Sequence, residues 1–183
     1  MAAAKTSMRT SLRRFTRARK GSAAVEFGLV AFPFFLFLFG LAEVAMIGFA
    51  QTSLNYAVSE TARQIRTGQA QMAGMSAGDI QEALCDELNK FMLMTCEGNL
   101  YLDVDRFDSF TNASNDEADP IQNGEFNEAG FGYQPGAPSD IVVVRAYYRW
   151  EVMTPMFSSV FANVSDGKRI MVSTMMFRNE PYQ

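Results

Sequence analysis

The stretch from residue 23 to residue 50, AAVEFGLVAFPFFLFLFGLAEVAMIGFA, constrains this chain more than any other feature. It holds two acids, Glu26 and Glu43, and no base. About 16 residues separate the acids, some 24 Å of helix, slightly short of the ~30 Å hydrocarbon core of a bilayer. Continued past Glu43 through Val44, Met46, Ile47 and Phe49, the helix becomes long enough to span. Glu26 is then expected near one interface and Glu43, solvated, near the other. A chain with this much apolar mass in one early block is expected to be an anchored domain rather than a uniformly soluble one.

Charge sets the expected orientation. Lys+Arg number 16 and Asp+Glu 20 in 183 residues, a formal net charge of −4. Seven of the bases (Lys5, Arg9, Arg13, Arg14, Arg17, Arg19, Lys20) precede the first acid, which leaves nine bases against 20 acids, a formal −11, from residue 22 onward. A basic segment beside an apolar helix marks the cytoplasmic side. Residues 1–21 therefore read as a cytoplasmic leader, and the acidic remainder faces the periplasm or the cell exterior of a bacterial envelope. Basic clusters also bind nucleic acid, but one of this size beside an apolar helix reads as a topology signal, so the lipid bilayer and not nucleic acid is the expected partner.

A cleaved secretory signal competes for the same pattern. The apolar run is too long for it, and no small-x-small site follows directly. The helical pattern instead continues, with Leu54, Ala57, Val58, Ala62 and Ile65 at three- and four-residue spacings and polar Gln51, Asn55, Ser59 and Arg63 between them. One helix is expected over residues 22–67, transmembrane in its first half and stopped at Gly68. Pro33 removes one hydrogen bond inside it and predicts a kink or a locally melted turn.

Residues 68–183 predict a small extracytoplasmic domain. Residues 68–78 read as a linker or turn, followed by a short amphipathic helix over 79–91 with Ile80, Leu84, Leu88 and Phe91 on one face and Ser76 or Asp79 as its cap. Branched and aromatic runs predict strands at 100–107, 141–152 and 169–177. Residues 108–140, rich in Asn, Asp, Gly, Pro and Ser, predict a mostly irregular excursion. The fold class is α+β: the second half of the long helix and the short helix pack on a mainly antiparallel three-stranded sheet.

Candidate chemistry is sparse. The absence of histidine removes Ser-His-Asp triads, Cys-His dyads and histidine-ligated metals. Asp103 and Asp105 alternate on a strand, which reads as a solvated face rather than an acid/base pair. Asp103, Asp105 and Asp108 do not reproduce a calcium-loop register, so no metal, cofactor or enzymatic activity is expected. Cys85 and Cys96 suit a disulfide in an oxidising compartment, with two free buried thiols as the alternative.

The most informative stretch is Gly21-Ser22-Ala23-Ala24-Val25-Glu26-Phe27. A small residue follows the basic leader, and a carboxylate sits near the start of an apolar helix, where a charge is costly unless paired. Cleavage after Gly21 would place the new α-ammonium of Ser22 about one helical turn from Glu26, able to neutralise it in the same subunit or a neighbour. This motif resembles a class III signal peptide, in which a prepilin peptidase cuts after glycine and leaves glutamate at mature position five with an aromatic next; Pro33 is also pilin-like. The GSAAVEFGLV opening, the continuation into TARQIRTGQA, the Cys85 and Cys96 pair and the closing FRNEPY (residues 177–182) together resemble the TadE-like family, pseudopilins of the tight-adherence (Tad/Flp) pilus system. The resemblance runs from Gly21 to the C-terminus. It implies a minor pilin that acts beside the major pilin in assembling a thin adhesive pilus, with Gly21 as the cut site and Glu26 and Phe27 at the residues needed for processing or assembly. Implied partners are other pilins, the prepilin peptidase and an inner-membrane assembly platform. The alternative is an uncleaved single-pass anchor displaying a periplasmic binding domain.

Overall fold

The computed structural model describes residues 22–91, 94–116 and 119–182. Gly21 and the basic leader lie outside the described residues. The first element, α1, is one helix over Ser22–Arg66, about 67 Å long at 1.5 Å per residue. Its assignment is unbroken across Pro33, which withdraws one donor from the ladder but does not melt a turn. The chain divides into two compact units between Ala42 and Glu43.

In the first unit α1 is apolar around its whole circumference. Phe27, Leu29, Val30, Phe32, Phe34, Phe35, Phe37, Leu38, Phe39 and Leu41 are all exposed. A helix apolar on every side has no preferred face to turn toward a domain core and needs an apolar surrounding instead.

From Glu43 the pattern becomes one-sided. Ala50, Leu54, Ala57, Val58, Ala62 and Ile65 are buried while Thr52, Asn55, Tyr56, Ser59 and Arg63 are not. The helix ends at Gly68, whose φ of +77° lies in the left-handed region that a side chain resists. A short helical turn, α2 (Gln69–Met72), leads to α3 (Ala77–Asn89). Ser76 caps α3: its hydroxyl accepts from the Asp79 N–H and its own N–H donates to the Asp79 carboxylate at 2.7 Å. These hydrogen bonds hold Asp79 below the ordinary carboxylate pKa. Both caps expected from the sequence act together, as a reciprocal box.

Three strands, β1 (Leu100–Phe107), β4 (Ile141–Glu151) and β5 (Lys168–Arg178), form an antiparallel sheet in the order β1-β4-β5. Because side chains alternate along a strand, one face of β4 carries Val142, Val144, Ala146, Tyr148 and Trp150 and the other Ile141, Val143, Arg145, Tyr147 and Arg149. The first set packs with Leu100, Val104 and Met171 against the buried stripes of α1 and of α3 (Ile80, Leu84, Leu88). The Cys85–Cys96 disulfide joins α3 to the approach to β1, with Cα atoms 5.8 Å apart. Closing a loop this short contributes about 2–3 kcal/mol.

Residues 108–140 are mostly irregular, as expected, with three short elements; the sequence did not reveal that they form a lid over the second face of the sheet. α4 (Phe110–Ser114) sets Ala113 against Ile141 and Val143. The small hairpin β2 (Ile121–Gln122) and β3 (Glu125–Phe126) and the turn after it bring Phe126 and Phe131 onto Tyr147, with the Phe131 and Tyr147 rings stacked 4.9 Å apart. Gly132 and Gln134 then hydrogen-bond to Val104 through their backbones and cover the β1 edge. Burial on both faces explains why β4 reads as a near-continuous run, IVVVRAYYRW.

Asp103 and Asp105 correct the sequence reading. They share a face, as alternation requires, but that face is covered. Asp103 is opposite Arg145 in register, both are buried, and the Arg145 guanidinium bonds Asp103 and Asp105 at 3.3 Å each and Asp116 at 2.6 Å. Asp103 also accepts from the Gly132 N–H. Burial and the neighbouring Asp103 charge raise the Asp105 pKa, against the opposing effect of Arg145. The carboxylates therefore fasten the lid to the sheet.

Candidate functional site: the N-terminal helix and its exit point

Ser22 opens α1, and Glu26 and Phe27 follow one turn later, Glu26 exposed and Phe27 70% exposed. Ser22 and Glu26 are four residues apart, about 6 Å along the helix axis. Pro33 is exposed two turns further on. These residues share one apolar, uncovered half-helix; Cys85 and Cys96 belong to the globular unit and take no part in it.

Residues 22–42, the part of α1 outside the globular unit, amount to about 31 Å of helix. That is close to the hydrocarbon thickness of a bilayer.

Glu43 is the residue that sequence reasoning placed wrongly. Solvation at an interface was expected, yet Glu43 is only 2% exposed and begins the buried stripe of α1. Its two carboxylate oxygens accept from the backbone N–H groups of Met153 (3.1 Å) and Thr154 (3.0 Å), in the connection between β4 and β5. The available signal was periodicity: Glu43 is in phase with Met46, Ile47, Ala50 and Leu54, the positions that face the core. The carboxylate thus ends β4 and starts the domain at the same point.

At the opposite end of the globular unit, the closing FRNEPY segment is a latch on the C-terminus of α1. The buried Asn179 donates to the Pro135 and Ala137 carbonyls at 2.9 and 3.1 Å. The Glu180 N–H bonds the Arg66 carbonyl, and its carboxylate lies 3.3 Å from the Arg66 guanidinium. The Tyr182 ring packs so closely on Gly68 that a Cβ there would overlap it.

Among the described residues no group of three or more His, Cys, Asp or Glu side chains could hold a metal ion. Tyr147, pushed up to about 12 by burial, stays neutral and serves packing. α1 is long and apolar enough to cross a membrane, and the apolar half is almost wholly uncovered. Among the described residues one such helix precedes the compact α+β unit, the arrangement of a single-pass membrane anchor carrying a domain. Residues 21–63 match the TadE-like protein family, the family the sequence resembles. The match starts at Gly21 and ends within α1. No curated protein and no solved structure matches the chain significantly.

Proposed function

We propose that the protein is a minor pilin, or pseudopilin, of a Tad/Flp-type adhesive pilus, held in the bacterial inner membrane by residues 22–42 with its leader cytoplasmic and its α+β unit periplasmic. The observation that carries the reading is the family match starting at Gly21 over a helix that begins at Ser22 and leaves its apolar half uncovered. An uncovered apolar half-helix is held by lipid before assembly and by neighbouring helices after it. A prepilin peptidase cuts after Gly21, and the new Ser22 ammonium pairs with Glu26 of its own or a neighbouring subunit. That pairing removes the cost of a carboxylate in an apolar bundle and fixes the stagger between helices. Phe27 and Pro33 lie in the same packing segment. The role is structural rather than catalytic. The partners are other pilins, the peptidase and the inner-membrane platform.

Complementation tests this. In a strain lacking the gene, the wild-type chain is expected to restore pilus assembly and Glu26→Ala is not, with both chains present in the membrane at equal amounts. Assembly by the Glu26→Ala chain at the wild-type level would contradict the register role of the carboxylate.

A further inference from the structure

The connection between β4 and β5 carries an apolar surface that neither the fold nor the pilin reading uses. Residues 152–165, VMTPMFSSVFANVS, contain no charged side chain, in a chain with 20 acids and 16 bases. Outside α1, and among the described residues, three of the seven exposed large apolar side chains fall within eight positions of this connection: Met153 (61%), Met156 (58%) and Val160 (70%). The segment is ordered as a 3-10 turn, Pro155–Phe157, running into α5 (Ser158–Phe161), with the Phe157 and Phe161 rings edge to face at 6.0 Å. Met156 and Val160 are four residues apart in this segment, and both are exposed.

Its position gives the surface a meaning. The backbone N–H groups of Met153 and Thr154 are bonded to Glu43, the first residue after the bilayer-length part of α1. The connection is therefore tied to α1 at the residue where the globular unit begins. Val152 and Val164, buried at its two ends, fix it to the sheet. Asn163 braces it further, exchanging two hydrogen bonds with the Ile170 backbone at 2.7 and 3.1 Å.

We infer that residues 153–160 form a membrane foot, a lipid-contacting surface that inserts Met153, Met156 and Val160 into the headgroup region of the leaflet from which α1 emerges. The occupant is phospholipid. Exposed apolar side chains suit the boundary between headgroups and acyl chains, into which such surfaces sink by about 5–10 Å, and the Arg169 guanidinium, which donates to the Phe161 carbonyl at 3.0 Å, lies beside this segment. The Glu43 clamp serves the same end, since it gives the carboxylate that follows residues 22–42 backbone partners in place of lipid. The foot orients the domain on the membrane before assembly and is released when the helix leaves the bilayer.

This inference rests on α1 being the membrane anchor, and the experiment separates the two. The full chain is reconstituted in phosphatidylethanolamine/phosphatidylglycerol vesicles with one added cysteine at a time, Met156→Cys, Val160→Cys, Phe35→Cys or Asn127→Cys. The only two native cysteines are paired in the disulfide, so each added thiol takes the nitroxide label alone. Collision with oxygen, which concentrates in lipid, is compared with collision with a water-soluble nickel chelate. Labels at 156 and 160 are expected to favour oxygen, as 35 does, while 127, in an exposed loop, favours nickel. If 156 and 160 match 127 while 35 remains in lipid, the foot is overturned and the anchor stands. Labels at 156 and 160 shielded from both reagents would point to a protein occupant and equally overturn it. Exposure of 35 to nickel would remove the anchor and the foot together.

Discussion

Two carboxylates with opposite fates show how single residues govern this chain. Glu26 lies in an uncovered helix and Glu43 is buried, although both interrupt the same apolar run. Glu43 satisfies two backbone donors at once, and hydrogen bonds to an ionised acceptor are among the stronger ones in proteins. Glu43→Ala strands both N–H groups and is expected to cost about 3 kcal/mol, read as a lower midpoint in guanidinium unfolding of the detergent-solubilised chain. Asp105 should behave in the opposite way. Its pKa is raised in the fold, so the protonated form is favoured there, and the stability this contributes is present below the unfolded value and is lost as pH rises through the folded value. Asp105→Asn imitates the protonated group. The variant is expected to have a higher unfolding midpoint than wild type at pH 7, with the difference vanishing below about pH 4, where the wild-type carboxyl is itself protonated. Neither environment was legible in the sequence. The charges of Asp103 and Asp105 argued for solvent, and what buries them is a loop whose Gly, Asn and Pro content says only that it turns.

At the scale of elements, the elements whose residues repeat with a clear period were the readable ones. The three strands and both main helices fall within one or two residues of their expected bounds, because the 2.0 and 3.6 periods of burial are written directly in the residue types. The lid was not readable for a physical reason: its elements are five and two residues long, too short for any period to register, and they are held by aromatic contacts to Tyr147 and by Arg145 rather than by their own pattern. The stop of α1 at Gly68 was readable, but not why that glycine has to be one. A positive φ and the Tyr182 ring both exclude a side chain there. Gly68→Ala is therefore expected to cost about 2–3 kcal/mol from backbone strain and displacement of the C-terminal latch. Thermal unfolding of the solubilised chain would read this as a lowered Tm, and loss of the latch as protease sensitivity at residues 177–182.

The whole molecule is a change of solvent along one helix. From Ala23 to Ala42 the residues suit hydrocarbon; from Glu43 the same helix serves as one layer of a water-facing α+β unit, stapled by its disulfide and closed by its C-terminal latch. This division explains how 48% hydrophobic composition coexists with an acidic domain: the apolar residues are divided between a lipid-facing segment and a core. A pilin pathway uses that division twice, holding the helix in the membrane first and packing it against other helices later. In the proposed pathway the step between the two states is removal of the basic leader, which adds the Ser22 ammonium about one helical turn from Glu26. Intact mass and N-terminal peptide mass of the membrane-resident protein, from cells with and without their prepilin peptidase, test this most directly. A chain that begins at Ser22 only when the peptidase is present is the predicted result. A chain that keeps its leader in both strains would contradict the pilin pathway and leave an uncleaved anchor carrying a periplasmic domain.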